Sequence, residues 1–198
     1  MDNALANYIN AVNCKNDTAS VRYRIGYIQY TKQNYEGALG SFIRASETES
    51  ENTHVLLSLA NTLSLRGDNY AAQGYYEHLV NILDQEREIL GILLPQVRDD
   101  QADLVETYMK AANNLGVIQS RLAAATGNSS LNARALVNLQ ESMRAWDALT
   151  RNQETMVRLE GSNLAEQNFK YITHPVSAYN PEIYTDIPRL LTGEKGFE

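Results

Sequence analysis

One cysteine, Cys14, stands among the 198 residues, so no disulfide can close within the chain. Histidine is nearly as rare. His54, His78 and His174 are isolated from one another and from Cys14, which leaves no metal-ligand spacing and predicts no metal site. No run approaches the roughly 20 apolar residues of a membrane-spanning helix. The stretch "MDNALANYINAV" has neither a basic region nor an apolar run, so no export signal is expected within it. Basic residues are outnumbered, 17 against 24 acidic, for a net charge of −7; a general affinity for nucleic acid or anionic membrane is excluded on that balance. Proline occurs four times, and Pro175, Pro181 and Pro188 all fall near the C-terminus, predicting a helical body and an irregular tail.

Catalytic signatures are missing as well. There is no phosphate-cradling glycine loop and no nucleophile elbow. The pairs Asp99 with Asp100 and Glu86 with Glu88 read as solvated charges, and Trp146-Asp147 lacks the period of a propeller. "NDT" at Asn16 and "NSS" at Asn128 match only the short glycosylation pattern. The expectation is a non-enzymatic chain with no catalytic residue and no cofactor.

What is present is a period. Ala4, Tyr8 and Ala11 recur as Ala38, Phe42 and Ala45, and again as Ala72, Tyr76 and Leu79, the interval being the same both times. Ile25-Gly26 recur as Leu59-Ala60 under that same shift, and "KQNYE" and "RGDNY" stand at matching turn positions. A glycine inside a helix costs about 1 kcal/mol relative to alanine. Close helix approach offsets that cost, so Gly26 is expected to meet Ala38, with Ala60 and Ala72 repeating the contact. Phe42 and Tyr76 then fill the space that opens away from it.

This pattern resembles the tetratricopeptide repeat family, whose helix–turn–helix unit is about 34 residues long. The resemblance covers residues 1–80 and extends more loosely over 105–148. It departs from the family where tryptophan is replaced by Arg22 and Leu56, and tyrosine by Gln29 and Leu63. It implies an all-α fold, a right-handed solenoid of antiparallel helix pairs with an irregular C-terminal tail. Residues 1–18 align with the second helix of a truncated repeat, which points to excision from a longer protein or to packing of the first helix on another molecule. Full units follow at 19–52 and 53–94. In the latter the second helix is expected to run long, to Leu94, and stop before Pro95. A longer, divergent pair spans 103–150. Gly116 and Ala135 there are 19 apart, not 12 as in the first full unit; Leu139 and Ser142 echo Phe42 and Ala45. In "TGNSSLN", Gly127 should end one helix and Ser129 or Ser130 cap the next. Residues 151–172 form a terminal helix, with Val157, Leu164 and Tyr171 on one face, and 173–198 an extended, proline-containing tail.

The family holds peptides or protein segments in a trough lined by the first helix of each pair. By that resemblance the partner-binding positions are Ser20, Tyr23, Tyr27, Tyr30 and Thr31, then His54, Leu57, Asn61, Ser64 and Leu65. Lys110, Asn113, Val117, Ser120 and Arg121 follow in the third pair. Tyr23, Tyr27 and Tyr30 make a stripe at i, i+4, i+7, which suits either a protein partner or burial within this chain. No lysine stands at Tyr23 or Tyr27 to pair a C-terminal carboxylate as in chaperone adaptors. The tail, with Val176, Tyr179, Ile183, Tyr184, Leu190 and Leu191, is too apolar for a free segment and is expected to dock. "NFKYITHPVSAYNPEIYTDIP" is similar to the C-terminal region of repeat proteins of the spirochaetal periplasmic flagellar motor collar. That likeness implies a periplasmic location and a place in a large assembly; without it the cytoplasm is the expectation. A protein-binding scaffold is therefore expected, and its rival is a regulatory domain whose trough holds its own tail or a small ligand.

Overall fold

The computed structural model describes residues 2–14, 17–89, 91–92, 97–151, 163–174 and 180–189. Among these, all regular structure is helical and no strand occurs. The elements are α1 (Asp2–Asn13), α2 (Ala19–Thr31), α3 (Tyr35–Ser46), α4 (Thr53–Leu65), α5 (Asn69–Ile89), a 3-10 turn (Asp99–Gln101), α6 (Ala102–Thr126), α7 (Ser129–Arg151) and α8 (Leu164–Thr173). No described helix is long and apolar enough to cross a membrane. Two compact units divide the chain inside α5: residues 1–75 with 185–198, and residues 76–184. The stretch 152–162, with Val157, lies outside the described residues, as do Asn16, Leu94, Pro95, Pro175, Val176, Tyr179, Leu190 and Leu191.

In the first unit α1 packs on α2, α2 on α3, and α3 on α4. Asparagine and threonine start these helices by accepting orphan N–H groups: Thr18 from Val21, Asn34 from Gly37, Asn52 from His54 and Val55. The turn after α2 recurs after α4, bond for bond. Gln33 N donates to Tyr30 O, Asn34 N to Gln29 O and Ala38 N to Asn34 O; one sequence period later, Gly67 N donates to Ser64 O, Asp68 N to Leu63 O and Ala72 N to Asp68 O. Such a termination needs one residue at positive φ. Gly67 supplies it at 85°, whereas Gln33 adopts 60° without a glycine's freedom. The sequence period therefore has a counterpart in the backbone.

Ala38, Phe42, Ala45, Leu59, Ala60 and Ala72 are fully buried. At Gly26 the atoms nearest to an added methyl belong to the Phe42 ring, the closest being Cε1 at 2.6 Å. Helical side chains lean toward their own N-terminus, so the Phe42 ring tilts back over the level of Ala38 and covers the glycine. Tyr23 closes the other side, its ring 5.4 Å from that of Phe42.

In the second unit α6 packs on α7 and α8 on α7, with Tyr76, Leu79, Leu83, Met109, Ile118, Leu139 and Leu149 at the core. Gly116 repeats the device: an added methyl would lie 2.8 Å from Leu139 Cγ and 3.0 Å from the Ala135 carbonyl. Two helix ends depart from the sequence reading. α5 stops at Ile89, short of Leu94, because Gly91 at φ 61° lets Ile92 N reach back to Arg87 O. α7 is capped by Asn128, whose carboxamide oxygen accepts from Ser130 N and Leu131 N; neither serine caps it. Asn128 follows Gly127 (φ 71°) and directly precedes Ser129, the first residue of α7, so it holds the N-cap position and its side chain reaches those N–H groups, while Ser129 already lies inside the helix.

Candidate functional site

Three asparagines in the second unit, Asn113, Asn114 and Asn168, have no exposed surface. A buried carboxamide costs stability unless both ends are bonded. Theirs are bonded to the main chain of the tail. Asn114 Nδ2 donates to Tyr184 O at 2.8 Å, and Tyr184 N donates to Asn114 Oδ1 at 2.7 Å. Asn168 repeats the pairing on Glu182, with Nδ2 to O at 2.8 Å and N to Oδ1 at 2.9 Å. Asn113 bridges the two: its Nδ2 reaches Glu182 O and Asn114 Oδ1, and its Oδ1 accepts from Asn168 Nδ2. Tyr76 supplies its hydroxyl to Asn114 Nδ2 at 3.2 Å. Arg121 donates to Pro181 O at 2.9 Å, and burial pulls its guanidinium below the ordinary arginine pKa.

A carboxamide that offers N–H and C=O side by side presents the same pair of groups as the edge of a β-strand. Glu182 and Tyr184 are two apart, so in extended chain their N–H and C=O point to one edge. The second unit thus grips residues 181–184 by the backbone, as a neighbouring strand would.

The first unit holds residues 185–188 with hydroxyls. Tyr30 donates to Thr185 O at 2.6 Å, Tyr23 to Pro188 O at 2.5 Å, and Asn61 Nδ2 to Asp186 O at 3.4 Å. Ile187 packs on the cluster of Tyr23, Tyr30, Phe42 and Leu59. Tyr23 also lies 3.1 Å from Ser58 Oγ.

Of the residues anticipated from sequence, Tyr23, Tyr30, Asn61, Asn113 and Arg121 reach the tail. Tyr27 is half-buried and lines a cleft of about 460 Å³ with Ala4, Tyr8, Arg24, Ile28 and the tail's Arg189. Thr31 is exposed and returns its hydroxyl to Ile28 O, while His54 is half-buried with its carbonyl bonded to Ser58. Leu57 and Val117 are core residues; Leu65 is exposed. Ser64 is buried, and its hydroxyl has no partner among the described residues. Ser20 and Ser120 are half-buried, and Lys110 is tied to Glu106 at 2.5 Å. The stripe Tyr23/Tyr27/Tyr30 therefore divides: two hydroxyls hold the tail and the third does not. Sequence reasoning missed Asn114 and Asn168. The available signal was polar asparagine on otherwise apolar helix faces.

Burial raises the pKa of both Tyr23 and Tyr30, and for Tyr30 the nearby Tyr35 and Asp186 add to it. In the unfolded chain both titrate near pH 10. As pH rises past that value the unfolded state sheds these protons first, so it binds fewer protons than the native state and stability falls. Their contribution is complete below about pH 10 and is lost as pH climbs toward the folded pKa values. Urea midpoints should drop steeply between about pH 9.5 and 11.5. The drop should be shallower in Tyr23→Phe/Tyr30→Phe, with a remainder from Tyr108, whose pKa burial also raises. Equal slopes in the two proteins would contradict this assignment.

Among the described residues, no cluster of histidine, cysteine, aspartate or glutamate could hold a metal. No protein-family model matches the chain, and no curated protein matches it.

Proposed function

We propose that this chain is a non-enzymatic, tetratricopeptide-repeat-like module that binds protein by gripping the main chain of an extended segment, and that its own tail occupies the grip. The carrying observation is the double hydrogen bonding of Asn114 to Tyr184 and of Asn168 to Glu182, a recognition of backbone with no chemistry attached. The repeat reading draws support from the turn hydrogen bonds that recur at the sequence period, and from buried small and aromatic residues at the matching positions. Tail occupancy favours a regulated binder, in which residues 181–184 must leave the asparagine grip before another segment enters. The likeness of the tail to spirochaetal flagellar collar proteins supports a place in a large assembly.

A photo-crosslinking residue at Thr31 or Ser120, on the helices that hold the tail, tests this. In cells of the source organism these positions should give intermolecular adducts. Tyr70 and Val137, the most exposed apolar side chains on α5 and α7, should give few. Adducts confined to Tyr70 and Val137, or only intramolecular products at Thr31 and Ser120, would overturn the proposal.

A further inference from the structure

We infer that the asparagine clamp of the second unit selects an extended Pro–X–apolar–Tyr segment of a partner protein, residues 181–184 being the resident copy. This rests on the protein-binding reading above and adds the class of ligand.

Each position of the resident segment states a requirement. At 181 only the carbonyl is used, by Arg121, so proline's missing N–H leaves nothing unpaired, and Pro181 is buried. At 182 both N–H and C=O are taken by Asn168, while the glutamate side chain is exposed; any residue but proline fits. Ile183 is half-buried, which asks for an apolar group. At 184 both main-chain groups are again taken, now by Asn114, and the phenol has its own receiver. Its oxygen accepts from Leu164 N at 3.3 Å, the first N–H of α8, one of the donors a helix start leaves without an internal partner. Phenylalanine at this position leaves that N–H unmet. Asn180 is exposed, so an incoming chain can run past the proline end without displacing core side chains.

The resident copy competes as a tethered ligand, at an effective concentration of about millimolar. A test must weaken it without touching the clamp. Glu182→Pro in the 198-residue chain does so, because it removes the N–H that Asn168 accepts and alters only an exposed side chain. A fluorescein-labelled peptide of residues 180–185 should bind this variant, by anisotropy, at least about tenfold tighter than it binds the wild-type chain. Peptides carrying Glu182→Ala should bind as well as the parent. Those with Glu182→Pro or Tyr184→Pro should lose about tenfold or more, as expected for one unpaired buried group. Tyr184→Phe should lose less. Adding Asn168→Ala to the variant chain should abolish binding, and the peptide series keeps the test decisive if that double variant misfolds.

Equal affinity of the alanine and proline peptides would overturn main-chain selection. No binding to the Glu182→Pro chain, with helicity intact, would overturn the ligand class. Dimerisation of the variant with wild-type chain, without peptide, would make a second copy the occupant and overturn a separate partner. Crosslinks from Thr31 or Ser120 to a partner lacking the pattern would leave the protein-binding reading standing and reject this inference alone.

Discussion

Asn114→Asp, a change of one atom type, is expected to destabilise the second unit more than Asn114→Ala. Asn114 Nδ2 donates to Tyr184 O and to the Tyr76 hydroxyl, and Oδ1 accepts from Tyr184 N and Asn113 Nδ2. Alanine deletes these bonds but lets water reach the Tyr184 backbone while Asn168 still holds Glu182, for a loss of about 2–3 kcal/mol. Aspartate keeps the shape and sets a carboxylate oxygen, with no proton to offer, where the amide nitrogen now donates to the Tyr184 carbonyl. The charge is also fully buried, and the expected loss is about 3–5 kcal/mol. The two variants separate by pH. Burial and the facing carbonyl should raise the folded pKa of the new carboxyl above its unfolded value near 4. The native state then binds the proton first, and the penalty is relieved as pH falls through the folded pKa. Urea unfolding at pH 7.5 and pH 5 should show recovery for Asn114→Asp and none for Asn114→Ala. Amide exchange at Tyr184 should accelerate in both, while Glu182 stays protected by Asn168 in Asn114→Ala. A pH-independent Asn114→Asp, or a Tyr184 amide as slow as in wild type, would contradict the clamp.

How legible this arrangement was in the sequence depends on the range of each interaction. The helices and their core were readable because they are local: Ala38, Phe42 and Ala45 recur at helical spacing, and all three are fully buried. The turn at Gln33 was readable only through its echo, since glutamine gives no warning of positive φ and Gly67, at the matching position of the turn after α4, does. Tyr23 and Tyr30 stood out as a stripe, but the sequence could not say that their hydroxyls reach Pro188 and Thr185, more than 150 positions away. Asn114 was hidden for a sharper reason. Its place on an otherwise apolar helix face marks it as a polar group in need of partners, but not which ones, and only the extended segment docked from far along the chain supplies them. Propensity and period read helices. They do not read which main-chain groups will arrive from elsewhere.

Gly26→Ala and Gly116→Ala are the second large expected effect, and they run against helix propensity. Both substitutions gain about 1 kcal/mol from propensity. Both should still destabilise by about 1–3 kcal/mol net, because the added methyl overlaps packed atoms. At Gly26 those atoms belong to one side chain, the fully buried Phe42 ring, at 2.6 and 2.7 Å. At Gly116 they include the Ala135 carbonyl at 3.0 Å, which is backbone, besides Leu139 at 2.8 Å. The two sites should therefore respond differently to a second change. Phe42→Leu removes the ring edge and should relieve most of the Gly26→Ala penalty, so the double mutant costs little more than Phe42→Leu alone. Leu139→Ala clears one neighbour of Gly116 but leaves the carbonyl, so part of the Gly116→Ala penalty persists. Gly40→Ala and Gly74→Ala give the baseline: each glycine is exposed inside a helix with nothing within 4 Å of an added methyl, and each substitution should stabilise by about 0.5–1 kcal/mol. Urea-derived free energies for these variants decide the matter. If Gly26→Ala stabilises as Gly40→Ala does, the ring does not press on the glycine and the tight pairing of α2 with α3 fails. If Gly26→Ala is costly and Phe42→Leu does not relieve it, the strain lies in the backbone at Gly26 and not in the pairing.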